Sequence, residues 1–94
     1  MNDDEFERMA QIEDHREAID FYEGVIKWMK QTRKEIVGLR STIQDMNDFP
    51  DRMPKEDTIA NVCCDYLIKY LDDNIQDYDG RVRDEQNAIM ELES

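Results

Sequence analysis

NDFPDRMPKED, residues 47–57, holds both prolines of the chain, Pro50 and Pro54. Proline lacks the amide hydrogen a helix interior needs, and its ring clashes with the preceding turn, so this stretch ends any helix that reaches it. On its N-terminal side apolar residues recur at Ile12, Ile19, Tyr22, Ile26, Met29, Ile36, Leu39, Ile43 and Met46. On its C-terminal side the same rhythm runs through Cys64, Leu67, Leu71, Ile75, Tyr78, Val82, Ile89 and Leu92. Steps of three, four and seven keep one helix face apolar. The spacing predicts a helix over about 3–46, a loop over about 47–57 and a helix over about 58–92, with Asp57 or Thr58 as N-cap. No period-two alternation persists, so the class is all-α, a single helical domain.

Two helices joined by a short loop pack antiparallel, which predicts a coiled-coil-like hairpin whose facing residues have numbers adding to about 104. That register sets Met29 beside Ile75, Ile36 beside Ile68 and Tyr22 beside Val82, apolar against apolar. Gly24 and Gly38 fall inside the first helix, where each costs about 1 kcal/mol relative to alanine, and Gly24 is the candidate for a kink.

The chain has 94 residues, 24 acidic and 12 basic side chains and a net charge of -12, which opposes contact with nucleic acid or anionic membrane. Its 39% hydrophobic content, placed with clear periodicity, argues for folding over disorder. Cys63 and Cys64 are adjacent, so they supply no disulfide framework, and a reducing, intracellular (cytoplasmic) setting is expected. MNDDEFER is acidic where a signal peptide is basic and then apolar, and no apolar run reaches the roughly 20 residues a membrane span needs. A soluble, unprocessed protein is expected.

Two stretches are apolar on a second side. Phe21, Val25 and Trp28 form one stripe beside the seam, and Ile59, Val62, Tyr66 and Tyr70 form another. A lone hairpin leaves both uncovered, which predicts a homodimer, a four-helix bundle in which each stripe meets its counterpart.

Groups suited to catalysis do not converge. His15 is the only histidine and lies on the apolar seam, so no metal site is read there. Cys63 and Cys64 stand mid-helix beside Asp65, whereas a reactive thiolate needs positive surroundings, so they read as small core residues. DDNIQDYDGRVRDE, residues 72–85, lacks the spacing of a calcium loop, and its Ile75 and Tyr78 continue the seam. No catalytic residue, cofactor or metal is assigned, and the protein is read as a non-enzyme.

FYEGVIKWMKQTRK, residues 21–34, is the one basic segment. Lys27, Lys30 and Lys34 form a stripe that the antiparallel register sets beside Asp65, Asp72, Asp73 and Asp77, so the segment is read as fixing register. The competing reading is a nucleotide or other anion held by Lys27, Lys30, Arg33 and Lys34, with Trp28 or Tyr22 stacking.

With the middle of the hairpin nearly neutralised, the remaining charge gathers toward the two chain termini. The first expectation is therefore an acidic protein that docks carboxylates on a basic, nucleic-acid-handling partner and blocks it. DNA-mimic inhibitors of phage counter-defence, of the anti-CRISPR or anti-restriction kind, have this composition. The partner-binding residues expected are Asp3, Asp4, Glu5, Glu7, Glu13, Asp14, Glu17 and Asp20, with Phe6 and Met9 as apolar anchors. The alternative is a structural or adaptor coiled-coil oligomer whose acids only keep it soluble.

Overall fold

The structure, a computed structural model, describes the backbone of residues 3–47 and 54–94 and the side chains of 3–43 and 60–94. The elements are α1 (Asp3–Asn47) and α2 (Pro54–Glu93), and the described residues hold no strand. Side chains of Met46, Asp57, Thr58 and Ile59, and most of the expected loop, lie outside the described residues. α2 begins at Pro54, four residues before the expected start, so Asp57 and Thr58 fall within it and not at its cap. Proline suits the first helical turn, where its missing amide hydrogen has no partner to lose and its fixed φ already matches the helix. At the other end of the chain Asp3, Asp4 and Glu5 occupy the first turn of α1, where negative charge offsets the positive end of the helix dipole.

α1 runs unbroken through Gly24 and Gly38. A Cβ placed on Gly24, Gly38 or Gly80 would meet nothing within 4 Å, and none of them has positive φ. These glycines therefore weaken the helices without serving a turn or a close approach within the chain. Each Gly→Ala change is expected to raise stability by about 0.5–1 kcal/mol, read as an upward shift of the thermal midpoint by circular dichroism. A drop at one position would reveal that another chain approaches the backbone there.

Two units emerge from the contacts. Unit 1 comprises Met1–Lys27 with Gln76–Ser94, and unit 2 comprises Trp28–Ile75. Within unit 1, His15 of α1 pairs with Glu85 of α2, and the ring of Tyr22 meets that of Tyr78 edge-on at 5.6 Å between centroids. Arg81 stacks over Tyr78 at 4.7 Å. Within unit 2, Arg33 pairs with Asp72 and Arg40 with Asp65. In each unit partner numbers fall on α2 as they rise on α1, the mark of antiparallel packing.

The arginine pairs of unit 2 have numbers adding to 105, close to the expected register. In unit 1 the pairs 15–85 and 22–78 add to 100 and Arg16–Glu93 to 109, on either side of the expected 104, and the ring of Tyr22 meets that of Tyr78, one turn before Val82. An aromatic edge-to-face contact is worth about 0.5–1.5 kcal/mol beyond its buried area, a sufficient reason for the local choice.

Among the described residues, buried side chains are few: Ile26 and Val82 in unit 1, and Met29, Cys64 and Leu71 in unit 2. Ile12, Ile19, Ile36, Ile43, Ile68, Ile75, Ile89 and Leu92 are half-buried at the margins. Leu39 and Leu67, expected on the seam, are instead 55% and 46% exposed. Arg40 takes the inward-edge position beside Leu39, because its guanidinium reaches Asp65 across the helix pair.

Candidate interaction surfaces

Unit 1 holds fifteen of the acidic and five of the basic side chains, net -10, while unit 2 holds nine and seven, net -2. Every sequence-predicted acid of unit 1, from Asp3 to Asp20, is exposed, as are Phe6 at 69% and Met9 at 58%. Among the described residues, Asp3, Asp4, Glu7, Glu13, Asp14, Glu17 and Asp20 make no ion pair or hydrogen bond. The ion pairs of this unit lie elsewhere: His15 with Glu85, Arg16 with Glu93 at 3.8 Å, and Arg81 with Asp77 at 3.2 Å. His15 is thus a half-buried seam residue committed to a carboxylate, and no cluster of metal-binding side chains occurs among the described residues.

Unit 2 has a different surface. Arg33 Nε donates to Asp72 Oδ1 at 2.6 Å and Arg33 Nη2 to Asp72 Oδ2 at 3.4 Å. Arg40 Nη2 donates to Asp65 Oδ2 at 3.5 Å. Arginines, and not the lysines expected from the charge stripe, make the ion pairs between the helices of this unit, because a planar fork on a long stem can engage both carboxylate oxygens across the helix pair. These pairs are 40–56% exposed, so replacing Arg33 with alanine is expected to cost no more than about 1 kcal/mol in a denaturant titration.

Of the candidate anion-binding residues, Trp28 is 64% exposed. At about 100° per residue, Lys30 and Lys34 point roughly 120–160° around the helix from it. Arg33 is committed to Asp72.

Of the stripes expected to pair between copies, Phe21 is 65%, Val62 62%, Tyr66 71% and Tyr70 58% exposed, whereas Val25 is half-buried. Val62, Cys63, Tyr66 and Leu67 line an open, wholly apolar groove of about 490 Å³. Cys63 is exposed and Cys64 buried, both as free thiols, so only Cys64 is a core residue. No helix among the described residues is long and apolar enough to cross a membrane. No family model, curated protein or solved structure matches the chain.

Proposed function

We propose that this is a non-enzymatic binding protein that sets the carboxylates of unit 1 against a basic surface of a nucleic-acid-handling partner and so occludes it. The observation that carries this reading is the concentration of net -10 on unit 1, with seven acids that make no ion pair or hydrogen bond among the described residues. Charges held at such density repel one another and gain nothing from the chain's own packing. A cationic partner relieves that repulsion and releases counterions, as it does on DNA. Phe6 and Met9 supply apolar anchors beside the acids. The test is capture on the immobilised chain from the cells that make it, with elution by salt and, separately, by double-stranded DNA. Elution of a nucleic-acid-handling protein by both supports the reading, and a partner indifferent to both overturns it.

A second reading concerns assembly and rests on exposed apolar side chains. Phe21, Trp28, Val62, Tyr66 and Tyr70 are 58–71% exposed. Apolar surface of this kind is ordinarily covered by another chain, which supports pairing of two chains into a four-helix assembly that sedimentation equilibrium at micromolar concentration tests.

A further inference from the structure

Among the described residues, one side of unit 2 is nearly free of charge. Taking Met29, Arg33, Ile36 and Arg40 as the inward line of α1, and about 100° per residue, Trp28, Thr32, Glu35 and Leu39 lie roughly 70–130° around from it. On α2, with Cys64, Ile68, Leu71 and Ile75 inward, Cys63, Leu67, Tyr70 and Asn74 lie the same angular distance away in the same rotational sense. In an antiparallel pair an equal offset in the same sense puts both rows on one side, because the dyad that exchanges the helices keeps that side in place. The opposite side carries Asp65, Asp72, Lys30, Lys34 and Lys69. In a chain that is 38% charged, this side has Glu35 alone among the described side chains, and Gln31 Nε2 donates to Glu35 Oε1 at 3.4 Å.

Both rows repeat with the same spacing of four, three and four residues, the pattern with which helices interdigitate. Their large members are exposed: Trp28 64%, Leu39 55%, Leu67 46% and Tyr70 58%. The Arg40–Asp65 pair holds the rows in step, setting Leu39 level with Tyr66 and one residue from Leu67.

We infer that this Trp28–Leu39–Leu67–Tyr70 side of unit 2 is an isologous self-association face, on which a second copy of the chain seats its own equivalent side. The inference rests on the paired reading above and names the surface that does the pairing. A second copy is the occupant because two chains of net -12 can approach only through a face without like charges. A basic partner gains nothing from a neutral side when unit 1 offers net -10. The interface differs from the one expected from sequence, since Leu39 and Leu67 replace Phe21 and Val25 as its anchors.

Sedimentation equilibrium of the full chain, with Leu39→Glu and Leu67→Glu as face variants and Val37→Glu as a control on the charged side, tests this directly. Trp28 emission measured on dilution of the unmodified chain provides a reading that needs no variant. The expected result is a dimer whose dissociation constant rises about 30-fold or more in each face variant, with helical content kept and Val37→Glu unchanged. Trp28 emission should shift to the red over the same concentration range in which the dimer dissociates. A monomeric unmodified chain would overturn both the pairing and this face. A dimer that the face variants leave intact, that Val37→Glu weakens equally, or that dissociates without a Trp28 shift would overturn the face and leave the pairing standing.

Discussion

Replacing Leu71 or Met29 with alanine is expected to cost about 2–4 kcal/mol each, a large share of the about 5–15 kcal/mol that holds a domain folded. Leu71 is 6% and Met29 4% exposed, and they are two of only five side chains buried to this degree among the described residues. In a two-layer helix pair a removed side chain has few neighbours to fill its place, so the lost transfer energy carries a cavity cost as well. Urea titration followed at a helical band should show a lower midpoint with an unchanged slope. The double variant should be unfolded or nearly so at room temperature. A loss below about 1 kcal/mol for either would mean that these residues are not the core in solution.

The second large effect concerns the charge of unit 1. Glu13→Lys, Asp14→Lys, Glu17→Lys and Asp20→Lys together change the net charge from -12 to -4 through exposed positions that make no ion pair or hydrogen bond among the described residues. Partner affinity at moderate salt is expected to fall by about 100-fold or more, chiefly through slower association, because steering follows the summed field and not any single contact. Thermal stability should hold or rise, since like charges are being separated. Lys30→Glu with Lys34→Glu, on the charged side of unit 2, takes the net charge to -16 and should leave partner affinity unchanged or slightly raised. Surface plasmon resonance at two ionic strengths measures both variants.

How far these features were legible in the sequence differs from one to the next. Pro50 and Pro54 interrupt one long apolar rhythm, and that interruption alone specifies two helices. The start of α2 was misplaced because Pro54 read as a breaker, although the first turn of a helix is where proline is at home. Leu39 and Leu67 read as seam residues because a period of three and four cannot distinguish a residue facing its partner helix from one a quarter-turn away. Resolving them needs the lateral partner, and the Arg40–Asp65 pair provides it. Likewise Arg33 and Lys34 are equal as charges in the sequence, and only reach and planarity across the pair show that the arginine does the bridging. The acidic surface was legible outright, since charge counted along the chain needs only the antiparallel pairing of its two ends to become a patch.

The most direct measurement is competition at the unit 1 surface: a partner captured on the immobilised chain is challenged with double-stranded DNA, and the affinity is followed as ionic strength rises. The expected result is a nucleic-acid-handling protein that DNA displaces and whose affinity falls steeply with salt. A bound protein that DNA leaves in place, or an affinity flat with salt, would contradict it.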